Sequence, residues 1–355
     1  MDSPLLKFSL ASALLIVPSA GSGANPLSPH SEPTFVPALT DRDEAENLSG
    51  AACIDGAAAQ PVCLLVGDEK RYARFFTIKD TELVPLGTLD LLAPSPESKA
   101  AETDAEGVAY DAGYFYVLGS HSANKKGEPQ PSRHRLFRVK VDQRTGTPTS
   151  LGPDGTPSEV RDLDAVIAAI PALKPHIGEA PGEGLHGVNL EGIAVSKGNL
   201  YIGLRGPVVN GKATILSLPI NFRSAKREPV RSCELALGEG QGVRDLLTYR
   251  GGLIILAGPE MRWNVDTPLP HSTAASQLFF WDGGKSLRRI GELPVTHPDG
   301  PEAIALLGSG AAGPKLLLLS DGPGRGRAAV YEIANLKKSA RTATVTCFST
   351  VTSPN

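Results

Sequence analysis

The chain has 355 residues, with 35 lysines and arginines against 38 aspartates and glutamates and a formal net charge of −3. So even a balance, without a basic run, excludes a nucleic-acid footprint and a polybasic attachment to anionic lipid. The 38 glycines and 30 prolines make up about a fifth of the chain, which favours many short strands and turns over long helices.

The N-terminus reads as an export signal. Lys7 precedes an apolar stretch from Phe8 to Val17, too short to span a bilayer. Ser22, Gly23 and Ala24 offer small residues for cleavage after Ala24. Residues 1–24 are therefore expected to be removed. Residues 25–44 are expected to form a leader, with Phe35 to Ala38 adding a strand that closes the fold. Residues 45–355 form the folded domain, in the periplasm or outside the cell and without a membrane span.

Five similar hairpins then follow in chain order. Each has a small residue behind an acidic or polar position, a short apolar run, a polar turn and a second apolar run. The small residues are Gly50, Gly107, Gly192, Gly242 and Ala303, and the second runs end near Asp68, His121, Arg205, Glu260 and Asp321. Third strands with polar–apolar alternation run from Tyr72 to Lys79, Arg135 to Val141, Thr214 to Ile220, Gln277 to Trp281 and Ala328 to Ile333. Fourth strands are expected at Glu82 to Leu89, Arg231 to Leu237, Leu287 to Leu293 and Thr342 to Thr350. Strand-rich periods of this size point to an all-β propeller of five four-stranded blades. The divergent stretches keep a sixth blade open. Between Gly107 and Gly192 the spacing is long, and an insert of about residues 152–183 is expected there. In it Val160, Leu163, Ile167 and Ile170 fall on one helical face, with Ser158 as N-cap and Pro171 as stop.

The four cysteines fit an oxidising compartment. Register puts Cys53 opposite Cys63 on the first hairpin, within bridging distance, so a disulfide is expected there. Cys233 and Cys347 fall in late outer strands of different repeats, and no bridge between them is expected.

In an antiparallel hairpin the start of the first strand and the end of the second share one end. Glu106, Glu191 and Glu302 open first strands, and Arg244 and Asp245 lie just inside the fourth one. With His121, Arg205 and Asp321 they should gather at one mouth of the channel. Taken singly, each has a structural reading: a strand-start Glu can accept N–H groups from the next blade, Arg205 can pair with Glu191 or Asp245, His121 can be an exposed loop residue, and Asp321 a turn former. Crowded together, like charges need a cation or ligand to offset them. The chain has no nucleophile elbow, no His-Glu-x-x-His and no phosphate-binding loop.

The stretches Asn189–Ala194, Ile202–Pro207 and Gly242–Leu246 together resemble the bacterial domain of unknown function 3616 family, over roughly residues 45 to 335. The shorter Glu191–Ala194 motif is also similar to phytase-like, esterase-like propellers and, more distantly, to calcium-dependent lactonase propellers. The resemblance implies acidic channel residues that hold a divalent ion, and it carries over to Glu106, Glu191 and Glu302. Ser49 and Gln241 stand where the first and fourth copies should have an acid, which leaves the shell incomplete or completed from elsewhere. Two functions follow. In the first, Glu191, Glu302 and Asp321 hold Ca²⁺, whose hard-ligand chemistry suits them. Glu106, Arg205, Arg244 and Asp245 bind a small anionic, phosphoester-like ligand, and His121 acts as general acid or base. In the second, the propeller is a non-enzymatic scaffold for a protein or cell-envelope partner.

Overall fold

The computed structural model describes residues 26–54, 60–93, 102–182, 185–221, 229–260, 275–294, 300–322, 326–334, 336 and 341–351. The expected signal peptide and its cleavage position lie outside the described residues.

Five small sheets form a five-bladed propeller. The chain enters through β1 (Thr34–Phe35) and a short helix α1 (Arg42–Glu46), then builds blade 1 from β2 (Leu48–Cys53), β3 (Val62–Gly67), β4 (Tyr72–Lys79) and β5 (Glu82–Asp90). Blade 2 is β6 (Ala105–Asp111), β7 (Tyr114–Gly119), β8 (Leu136–Lys140) and β9 (Glu159–Arg161). An insert follows with helix α2 (Asp164–Ala168), a 3₁₀ turn at Lys174–His176, and a small hairpin of β10 (Pro181–Gly182) and β11 (Leu185–His186). Blade 3 is β12 (Asn189–Ser196), β13 (Asn199–Gly206), β14 (Ala213–Pro219) and β15 (Pro229–Leu235). Blade 4 is β16 (Gln241–Tyr249), β17 (Gly252–Pro259), β18 (Gln277–Trp281) and β19 (Ser286–Glu292). Blade 5 has three strands, β20 (Gly300–Ser309), β21 (Pro314–Asp321) and β22 (Arg327–Glu332). The chain then doubles back: β23 (Arg341–Thr344) joins the edge of blade 4 and β24 (Thr346–Val351) the edge of blade 3.

The innermost strands β2, β6, β12, β16 and β20 pack each on the next and back to the first, which closes the ring. Inner strands are buried on both faces. Leu317 and Leu319 pack toward blade 1, with Leu65 and Ala51, while Leu316 and Leu318 pack toward blade 4, with Ile254 and Leu256. That two-sided burial is why the run from Leu316 to Leu319 does not alternate.

Three expectations are corrected. The strand near Thr342 is not the fourth strand of blade 5; it leaves that blade and covers two others. In its place the N-terminal segment lies along blade 5, where Val330 N–H donates to Ser31 O (2.8 Å) and His30 N–H to Val330 O (2.6 Å). The same segment pairs with Glu292 at the edge of blade 4 and, through β1 rather than Phe35 to Ala38, runs parallel to β5 on blade 1. Lastly, no helix runs from Ser158. Val160 pairs with Phe137 inside β9 and is exposed, and only Asp164–Ala168 is helical. Leu163, Ile167 and Ile170 are buried as the stripe requires.

Both cysteine pairs are bridged. Cys53–Cys63 joins β2 to β3 as expected. Cys233–Cys347 corrects the expectation of no bridge: with β24 laid antiparallel on β15, these residues face each other.

Candidate functional site

Each inner hairpin carries a β-bulge at the same level. The residue looped out is Ser49 in β2, Glu106 in β6, Glu191 in β12, Arg244 in β16 and Glu302 in β20. All five are buried. A bulge re-aims one side chain and tightens local twist, so one polar residue per blade is set into a ring near one end of the channel. The small residue behind it is forced by the close approach of the next blade. A Cβ at Gly107 would lie 2.4 Å from the carbonyl oxygen of Glu191, and one at Gly50 2.5 Å from that of Glu106.

This register also corrects the fourth copy. Its looped-out residue is Arg244, not Gln241, and the position taken by glycine in blades 1 to 3 is Asp245. Blades 4 and 5 are joined by that side chain. Asp245 Oδ2 accepts the Ile304 N–H at 2.8 Å and Oδ1 accepts the Leu246 N–H at 2.7 Å. Burial, reinforced by Glu191 and Glu302, holds its carboxyl well above the usual carboxylate range despite those two bonds.

Arginine and glutamate meet across three blades. Arg244 Nη1 lies 2.7 Å from Glu302 Oε2 and 3.5 Å from Glu191 Oε2. Arg205, itself looped out of β13, donates from Nη1 to Glu191 Oε1 at 3.2 Å and from Nε to the Glu260 carbonyl at 3.0 Å. Asn189 Nδ2 donates to the same Glu191 oxygen at 3.0 Å. Glu191 thus receives two guanidinium groups and an amide. Four further polar atoms, from residues at or near the starts of inner strands, are buried and have no hydrogen-bond partner among the described residues: Ser49 Oγ, Asn189 Oδ1, and both amide atoms of Gln241.

His121 lies apart from that cluster. It is buried, with φ of 53°. Its Nε2 accepts the Leu163 N–H at 3.1 Å, which leaves Nδ1 to donate to the Gly119 carbonyl at 2.9 Å. Burial lowers its pKa to about 4. Its ring stacks at 5.4 Å on His134, which in turn contacts Asp164 at 2.9 Å. Nε2 therefore fastens the insert to blade 2, and Nδ1 holds the ring against its own blade. A second buried cluster lies beside it. Asp104 accepts from Ser120, from Ser122 at 3.2 Å and from Arg133, 2.9 Å away, and Arg133 also pairs with Glu102. Burial raises the Asp104 carboxyl. Asp321 ends β21 opposite Gly300 and is half-buried.

The residues present do not fit a divalent cation. Among the described residues no three His, Cys, Asp or Glu side chains are placed to hold one. Glu191 and Glu302 already face arginine. A divalent ion about 4 Å from that guanidinium would meet a repulsion of ~8 kcal/mol at an effective dielectric constant of ~20. At the other end of the channel a small cavity opens between Ala52, Tyr110, Val195, Thr248 and Leu306, with Asp111 as the one charged lining residue among the described residues.

The family described as "Protein of unknown function (DUF3616)" matches residues 53–145 and 157–333. The chain belongs to that family. The gap in the match falls in the loop that leads from β8 to β9, just ahead of the insert. No curated protein matches the chain. Similar solved structures include a hypothetical protein from Leishmania major (11% identity, 89% of this chain and 93% of that one, TM-score 0.41). A family 117 glycoside hydrolase from the marine bacterium Zobellia galactanivorans is similar at 12% identity, over 90% of each chain, with a TM-score of 0.41. A DUF4221 family member from Bacteroides vulgatus is similar at 9% identity, over 91% of this chain and 98% of that one, with a TM-score of 0.38.

Sequence reasoning placed Glu191, Arg205, Arg244, Asp245 and Glu302 at one end of the channel. It missed Asn189 and the Asp104–Arg133 cluster. Ser49, read from the sequence only as the place of a missing acid, is the looped-out residue of blade 1.

Proposed function

We propose that this protein is an exported propeller that binds a small polar ligand at the charged end of its channel. The observation that carries the reading is the set of buried, incompletely bonded atoms of Ser49, Asn189 and Gln241, all from the starts of inner strands at the end of the channel that holds the arginine–glutamate cluster. A buried polar atom left unbonded costs about 1–3 kcal/mol, so a chain that keeps several at one end is compensated when a ligand or water meets them. Amide and hydroxyl groups offer both donors and acceptors. Glutamate already neutralises the arginines, so a phosphoester would have to displace carboxylates. A neutral ligand rich in hydroxyl groups would not. The two disulfides suit an oxidising compartment, and among the described residues no helix is long and apolar enough to cross a membrane.

The scaffold reading is favoured by Asp245 and Arg205, which bond neighbouring blades together. Gln241→Met separates the two. As a ligand-site residue, its replacement should leave the free protein equally stable or more stable by about 1 kcal/mol. It should also abolish the thermal shift that a panel of sugars, polyols, lactones and phosphoesters produces in the wild type. A clear loss of stability in Gln241→Met, with no compound in the panel shifting the wild type, would support the scaffold instead.

A further inference from the structure

We infer that Arg244 is a resident cation: its guanidinium does the work of a bound divalent ion, and its removal uncovers a metal site. The inference goes beyond the ligand reading and does not depend on it. Of the five looped-out residues, three are glutamates and one is arginine. That arginine sits between two of the glutamates in space, as it does in chain order around the ring. Its Nη1 reaches Glu302 at 2.7 Å and Glu191 at 3.5 Å, from the strand that lies between theirs.

Three features make this more than an ordinary ion pair. The contacts join blades 3, 4 and 5, so one positive group ties three separate sheets at the axis. The groups are buried, with Glu191 and Glu302 side chains each 2% exposed and Arg244 7% exposed, so water screens them little. Asp245, next in sequence, is held by two backbone N–H groups and pushed toward its neutral form. It adds little negative charge, and Arg205 with Arg244 balances Glu191 with Glu302. A divalent ion in place of Arg244 would bring two positive charges to the same carboxylates where the guanidinium brings one, with Arg205 still on Glu191. The two arrangements exclude each other.

Arg244→Ser removes the guanidinium and leaves a hydroxyl. Calcium titration by calorimetry, and melting curves with and without Ca²⁺ or a chelator, should show that the wild type neither binds Ca²⁺ nor changes its melting temperature in the chelator. Arg244→Ser should give a Ca²⁺ binding isotherm where the wild type gives none, and gain melting temperature with the ion. Adding Glu302→Gln to Arg244→Ser should abolish that gain. Arg244→Lys, which keeps the charge, should stay folded and indifferent to Ca²⁺. Stoichiometric calcium in the wild type, with a fall in melting temperature on chelation, would overturn the inference. So would an Arg244→Ser protein that folds but ignores Ca²⁺, or one that Ca²⁺ fails to rescue from misfolding.

Discussion

His121 sets a pH dependence that can be calculated. Its imidazole is buried and neutral because Nε2 must accept the Leu163 N–H, and burial lowers its pKa from 6.5 to about 4. The charges around it are His134 on its own blade and Asp162 and Asp164 on the insert. In the unfolded chain His121 takes up its proton near pH 6.5, while the folded protein resists until about pH 4. Within that window the unfolded state binds more protons, so stability falls as pH falls. The contribution of His121 is complete above pH 6.5 and lost by about pH 4. A displacement of this size corresponds to ~3 kcal/mol. His121→Asn keeps a side chain that tolerates positive φ, but has no titrating group. At pH 7.5 it should lose about 1–3 kcal/mol, because Leu163 N–H is left without its acceptor. Urea denaturation from pH 4 to 8 should give a steeper wild-type line below pH 6.5, converging on the variant by about pH 4. Parallel lines through the window, or an imidazole that titrates by NMR above pH 6, would refute the buried neutral assignment and return His121 to the list of general bases.

Other outcomes follow from the same contacts. The chain-entropy relation assigns ~4.8 kcal/mol to Cys233–Cys347, whose separation is 114 residues, and ~2.8 kcal/mol to Cys53–Cys63, whose separation is 10. Serine pairs at the two sites should therefore differ in denaturation midpoint, with the long-range pair the more damaging; equal losses would contradict the entropic account. Arg205→Lys should cost about 1–3 kcal/mol in urea, since one ammonium cannot reach both Glu191 and the Glu260 carbonyl as Nη1 and Nε do. A variant as stable as the wild type would leave Arg205 with a ligand role only.

The inner hairpins were legible because their signal is local: apolar runs buried on both faces, broken by turn residues. The candidate site was legible for blades 2, 3 and 5, where a glutamate precedes a small residue. Blade 4 misled because Gly242 imitates that small residue while Arg244 and Asp245 occupy the two positions that matter. Backbone register, not residue type, identifies them. Outer strands were harder. Nothing between Arg341 and Val351 states which sheet edge it will cover, and from that single uncertainty came both the misplaced fourth strand and the missed Cys233–Cys347 bridge. Val160 satisfied a helical stripe and an edge strand equally well, and tertiary pairing with Phe137 decided it.

The late return of the chain imposes an order on assembly. Strand β15 exposes an open row of N–H and C=O groups until β24 arrives, and the two cysteines that mark this meeting are 114 residues apart. At a synthesis rate of about 5–20 residues per second, that edge waits roughly 6–23 s for its partner. Until then it is a template for pairing with another nascent chain. The last segment thus caps the outer edges of blades 3 and 4. A chain ending before Arg341 should form oligomers detectable by light scattering; one that stays monomeric would show that those two edges need no cover.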